Sequence, residues 1–125
     1  MKQVSKVFNT RPVPKPRMTQ RDKWAKRDCV VRYYSFKDEI TYQSKHYEVP
    51  DSIRVTFGIP FPKSYSKKKK VELLGKPHQI KPDVDNLVKA LLDSLKDKDQ
   101  SVWRVDARKI WTSGDGFIEV EEIDD

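Results

Sequence analysis

Lys81-Pro82-Asp83-Val84-Asp85-Asn86-Leu87-Val88-Lys89-Ala90-Leu91-Leu92-Asp93-Ser94-Leu95 is the stretch that fixes how the rest of the chain must be arranged. Pro82 biases Lys81 toward extended backbone, so a helix begins after the proline. Asp83 is a natural N-cap, because a short carboxylate accepts from the free N–H groups of a first helical turn. Val84, Leu87, Val88, Leu91, Leu92 and Leu95 then recur at three- and four-residue steps and form one apolar face. Asp85, Lys89 and Asp93, each four residues apart, share a separate polar face. A helix with one apolar face needs a second layer to bury it.

That layer is a sheet. Ser52 to Phe61 alternates Ile53, Val55, Phe57 and Ile59 with Arg54, Thr56 and Gly58, which is the pattern of a strand, and Pro60 should end its pairing. Ser101–Val105 and Ala107–Ser113 suggest one strand or a bent one, Gly114-Asp115-Gly116 is a turn, and Phe117–Ile123 is expected to complete a hairpin. Gln3–Phe8 reads as a short strand. Gln20–Phe36 reads as a helix with Trp24, Val31 and Tyr34 on one face, although the β-branched and aromatic run Val30–Phe36 would also suit a strand. Trp24, Tyr33 and Tyr34 are read as core residues in preference to a base-stacking platform. Residues 38–51 read as a connection, and residues 62–81 as a long basic loop with one short turn at Val71–Leu74. The expected architecture is a single α+β domain over residues 1–125. Its small mixed or antiparallel sheet carries two main helices, in the order β-α-β-α-β-β.

The 125 residues include 26 basic and 19 acidic ones, for a net charge of +7. That balance favours a polyanionic partner such as nucleic acid. A lone cysteine, Cys29, excludes an internal disulfide and a cysteine-based zinc site, and fits a reducing compartment. With neither a membrane-length apolar run nor the apolar core of a signal peptide, the expected location is the cytoplasm.

Two basic segments stand out. Arg11-Pro12-Val13-Pro14-Lys15-Pro16-Arg17 carries too many prolines for regular structure and should be extended. It is either a linker or a stiff arm that brings Lys15 and Arg17 to phosphates. Lys67, Lys68, Lys69 and Lys70 form a compact positive run shortly before the acidic helix start. His78, a lone loop histidine, is given no role.

Phosphodiester cleavage needs hard oxygen ligands that hold Mg²⁺ while leaving room for water and substrate. Asp83 in the cap and Asp85 just inside the helix can both turn toward one ion, with Lys89 one turn beyond over the same spot. The same residues are equally complete as an ordinary cap, a charge favoured by the helix N-terminus and a surface ion pair. Both readings stay open on these residues alone.

The stretch Lys81–Leu95 resembles the signature of the RusA family of Holliday-junction resolvases, roughly Asp-x-Asp-Asn-Leu-x-Lys-Ala. Pro62–Lys70 with Gly75-Lys76-Pro77-His78 is similar to a loop of phage-borne members, and Val13–Arg17 is similar to the family's start. The resemblance implies that Asp83 and Asp85 bind metal and that Lys89 is the catalytic lysine. It implies a third carboxylate at Asp99, in Asp99-Gln100-Ser101-Val102, with Asp106 as the alternative. Lys109-Ile110-Trp111 matches a later Lys-x-Trp, and Asp93 matches a structural position. The implied protein is a homodimeric endonuclease that uses Mg²⁺, or Mn²⁺ in its place, to cut four-way DNA junctions in recombination and repair. A two-fold dimer would place one active site on each of two equivalent strands. Two rival readings are a non-catalytic nucleic-acid-binding protein and a nuclease of the same fold acting on flaps or other branched DNA.

Overall fold

The computed structural model describes residues 5–16 and 28–123. In chain order these form β1 (Ser5–Phe8), α1 (Asp28–Gln43), β2 (Ser52–Pro60), α2 (Lys67–Leu73), α3 (Val84–Leu95), a 3-10 turn over Lys96–Asp99, β3 (Arg104–Thr112) and β4 (Phe117–Glu122). The expected β-α-β-α-β-β order is present, with the short α2 in addition.

The strands form one mixed sheet in the order β1-β4-β2-β3. Pleating sends alternate residues to opposite faces. Phe8, Ile53, Val55, Phe57, Ile118 and Val120 therefore share one face, and all are fully buried. Helices α1 and α3 cover that face. From α3 come Leu87, Ala90, Leu91 and Leu95, and Val84, Val88 and Leu92 pack at the margin, as the three-and-four spacing requires. Each buried leucine contributes about 1.5–3 kcal/mol relative to an exposed one, so this face alone holds α3 on the sheet.

The expected hairpin is not formed. β2 lies between β3 and β4, parallel to the first and antiparallel to the second. The physical reason is burial: Ile53 and Val55 to Ile59 are all buried, so both faces and both edges of β2 are covered, which places it centrally. The turn after β3 must then cross the end of β2. Gly116 makes that crossing with φ +94°, where an added Cβ would stand 2.8 Å from the Gly58 carbonyl oxygen.

Three further expectations change. Helix α1 extends to Gln43, into the stretch read as a connection, because Ile40 adds another buried turn. Its buried face is Val30, Tyr33, Phe36 and Ile40, whereas Val31 and Tyr34 are exposed, so the helical phase is displaced by one residue; Trp24 lies outside the described residues. The strand alternative for Val30–Phe36 is likewise replaced by helix. Finally, the basic loop contains α2, whose N-cap Ser66 accepts a hydrogen bond from Lys69 N through its side chain at 3.1 Å.

After α2 the chain docks on the outer edge of β3. Gly75 N donates to Trp111 O, Trp111 N to Lys76 O and His78 N to Lys109 O, at 2.9–3.0 Å. This short ladder covers an edge that would otherwise present unpaired backbone groups. No helix of the described residues is long and apolar enough to cross a membrane.

Candidate active site at the start of helix α3

Asp83 occupies the N-cap position, its carbonyl accepting from Leu87 N at 3.3 Å. Its side chain and that of Asp85 are exposed. One turn on, Lys89 Nζ lies 3.8 Å from Asp85 Oδ2, with both side chains about two-thirds exposed (62% and 67%). The structure thus brings Asp85 and Lys89 together beside Asp83. A cleft of about 470 Å³ opens there, lined by Pro14, Lys15, Lys81, Pro82, Asp83 and Asn86. One wall of it is the proline-rich arm, held across the first turn of α3 by a hydrogen bond from Lys15 N to Asn86 O at 3.3 Å.

Lys15 is anchored at its other end too. Its ammonium lies 2.6 Å from Asp93 Oδ2, and Tyr33 donates its hydroxyl to the same carboxylate oxygen at 3.1 Å. Burial acts to raise the Asp93 pKa, but the hydrogen bonds from Lys15 and Tyr33 outweigh it and hold the carboxyl below its usual 3.8. Burial and the neighbouring carboxylate push the Tyr33 hydroxyl up. Asp93 thus ties the arm and α1 to α3. Arg17, the other basic residue read onto this arm, lies outside the described residues.

The turn that delivers Asp83 is fastened from below. Lys109, on β3, donates from Nζ to Ile80 O at 2.7 Å and to Pro82 O at 2.6 Å. Sequence reading placed Lys109 in a Lys-x-Trp match but gave it no task. A signal was present: on the inward positions Val105, Ala107, Lys109 and Trp111, a lysine interrupts an otherwise apolar series.

Lys67, Lys68, Lys69 and Lys70 all lie on α2, the first three fully on the surface. Lys69 Nζ is 3.9 Å from the centre of the Tyr65 ring. Tyr65, Phe61 and His78 pack around Trp111, with Phe61 stacked on it at 5.7 Å. This cluster places α2 at the same end of β3 as Lys109, and so at the same end as the start of α3. His78 is buried, with Nδ1 lacking a hydrogen-bond partner among the described residues. Burial, and then the Lys109 charge, lower its pKa and favour the neutral ring. A ring packed beneath Trp111 is not placed to take a proton from an exposed substrate.

Neither candidate for the third carboxylate reaches Asp83. The twelve residues of α3 span about 18 Å, and Asp99 follows its far end. There Val102 N donates to Asp99 O, and Trp103 N to Asp51 O beside the opening residues of β2. Asp106 fails for a different reason. It shares strand parity with Arg104 and Arg108, on the sheet face away from the helices, where Arg108 Nε donates to Thr56 Oγ1 at 3.0 Å. Its own carboxylate lies 3.5 Å from Arg104. Among the described residues no three His, Cys, Asp or Glu side chains gather in a way that could hold a metal ion.

Curated proteins provide no match to the chain. A family described as Endodeoxyribonuclease RusA matches it over residues 9–121, a span that takes in the arm, strands β2 and β3, all but the last residue of β4, both main helices and the acidic start of α3. The chain belongs to the RusA endodeoxyribonuclease family.

Proposed function

We propose that the protein is a Mg²⁺-dependent endonuclease that resolves four-way DNA junctions as a homodimer, with Mn²⁺ able to replace Mg²⁺. The observation that carries this reading is the exposed group Asp83, Asp85 and Lys89 on the first turns of α3, in a chain of an endodeoxyribonuclease family. Mg²⁺ is commonly held by one or two carboxylates together with waters and substrate phosphate oxygens, so Asp83 and Asp85 suit it. Bound there, the ion would activate water and offset charge on the scissile phosphate.

The remaining tasks fall to the chain itself. Asp85 holds the Lys89 ammonium beside the helix start, where it can stabilise charge that develops on the phosphate. Lys67 to Lys70 supply a sequence-independent grip on the backbone from the neighbouring α2. Two copies related by a two-fold axis would present two such sites to the paired strands of a junction. Asp99, at the far end of α3, would serve a metal site only in the partner copy.

The test is to incubate the protein with a synthetic four-way junction, a linear duplex and a flap, with Mg²⁺ or EDTA, beside Asp85→Asn. Expected are paired symmetric nicks in the junction alone, absent with EDTA. The variant should retain junction binding and lose roughly 100-fold or more in cutting. Preferential cutting of the flap would reassign the substrate. Binding with no cut in either metal would return Asp83 and Asp85 to a helix cap in a non-catalytic DNA-binding protein.

A further inference from the structure

Among the residues around the acidic helix start, one reaches it from another element of the fold. Lys109 points inward from β3 and aims its ammonium at main chain rather than at a carboxylate. Its two hydrogen bonds, to Ile80 O and Pro82 O, bracket Lys81 and end one residue before Asp83. The same residue's carbonyl accepts from His78 N at 3.0 Å. Lys109 therefore grips the incoming segment three times, once through its backbone and twice through its side chain, within the five residues 78–82.

A lysine in this position does something the backbone ladder does not. The ladder fixes residues 75–78 along the edge of β3, but it ends there. Between His78 and the first turn of α3, Ile80 and Lys81 are exposed. Bonds from a cation to carbonyl oxygens are about twice as strong as neutral ones. Pro82 cannot donate a hydrogen bond, so its carbonyl is the main-chain group through which that residue can be held.

We propose that Lys109 is a positioning residue for the reaction. By tethering the Ile80 and Pro82 carbonyls to β3, it sets the direction in which Asp83 and Asp85 leave the turn, and thereby the affinity of that pair for a divalent cation. The role rests on the function proposed above, since it concerns the same two carboxylates. Lys109 does not touch substrate in this scheme; it acts through the turn.

The experiment compares wild type with Lys109→Met, which keeps the unbranched stem of the side chain and loses its charge and donors, and Lys109→Arg, which keeps both charge and donors. Hydrogen exchange of the amides over 79–87 should quicken in Lys109→Met while β4 stays as protected as in wild type. Mn²⁺ affinity, measured by titration without DNA, should fall about 10- to 100-fold. Junction binding in EDTA should be unchanged. Cutting should fall in step with metal affinity and recover in part at high Mn²⁺, and Lys109→Arg should restore all of these readouts. Unchanged exchange over 79–87, or protection lost equally across the sheet, would overturn the proposal. So would a loss of cutting with Mn²⁺ affinity intact, which would make Lys109 a direct phosphate contact. Should Lys109→Met not fold, Lys109→Gln, a neutral donor, is measured in the same way. A wild type that neither binds Mn²⁺ nor cuts would sink the proposed function, whereas the exchange result would still decide whether Lys109 holds the turn.

Discussion

Lys15 and Asp93, separated by most of the chain between β1 and the end of α3, meet at 2.6 Å and close the proline-rich arm over the helix that carries the candidate site. The arm is therefore part of the wall of the cleft. Because both side chains are about 40% exposed, solvent screens the pair, and Asp93→Asn should cost only about 0.5–1 kcal/mol in urea denaturation at neutral pH. The sign of its pH dependence follows from the depressed Asp93 pKa. A carboxylate held below its usual 3.8 contributes stability above that value and loses it as pH falls through the folded pKa. The difference between wild type and variant should therefore vanish on acidification below the carboxylate range. A gap that persists in strong acid would mean that packing, not charge, holds the arm. DNA binding offers a second check. Lys15→Met should leave the salt dependence of junction affinity unchanged. Replacing Lys67–Lys70 by glutamine should instead flatten it, by about 0.9 in logarithmic slope for each phosphate that is no longer neutralised.

Gly116 should be intolerant of substitution. It combines a left-handed φ of +94° with a backbone oxygen 2.8 Å from where a Cβ would stand, and Pro12 and Pro60 close the other sides. Gly116→Ala is expected to destabilise by about 1–3 kcal/mol. Gly114, also at positive φ but with nothing within 4 Å of an added Cβ, should lose less when changed to alanine. Equal losses at the two positions would show that backbone conformation alone sets the cost and that the crossing over β2 is looser than described.

What the sequence made legible was local. The three-and-four repeat from Val84 to Leu95 and the alternation from Ile53 to Ile59 each need only neighbouring residues, and both elements formed where expected. Which strand pairs with which is a long-range choice, and the Gly114-Asp115-Gly116 turn is compatible with a hairpin or with a crossing. Burial of β2 on both faces decided it. In α1 the error was one of phase: Val31 and Tyr34 are as apolar as Val30 and Tyr33, and only the packing against α3 and the sheet selects between them. Strand parity would have separated Asp106 from the helix layer, had the partners of β3 been known. The salt bridge from Lys15 to Asp93 had no local signature at all. Asp83, Asp85 and Lys89 were legible because the site is built on one helix start, but the residue that holds that start, Lys109, arrives from another strand.

His78 predicts a pH dependence that belongs to the scaffold and not to chemistry. Its ring is buried against Trp111 and its pKa is lowered from 6.5, so the folded state holds the neutral form while the unfolded state takes up a proton. The contribution is fully present above pH 6.5 and is lost as pH falls below it, at up to about 1.4 kcal/mol per pH unit. His78→Phe, which keeps an aromatic ring against Trp111, should remove that slope between pH 7 and 5 in urea denaturation series. It should also leave cutting by the wild-type acidic residues intact. Loss of cutting at full stability would give His78 a chemical role that its burial argues against.

The last prediction concerns Asp99. Within one copy, α3 separates it by about 18 Å from the carboxylates at the opposite end of the helix. If Asp99 completes the metal site, it must do so in a partner copy, and mixing variants reveals this. A preparation of Asp85→Asn and a preparation of Asp99→Asn should each fail to cut. In a mixed dimer that shares residues across the two-fold axis, both lesions fall in one site, and the other site combines an intact Asp83–Asp85 pair with an intact Asp99. Mixing should therefore restore nicking of one strand, without the paired nicks expected of the wild type. If each site were built within one chain, the mixed dimer would carry a lesion in both and stay inactive. Full activity of Asp99→Asn alone would remove Asp99 from the site and leave Asp83 and Asp85 to hold the ion with water and phosphate oxygens.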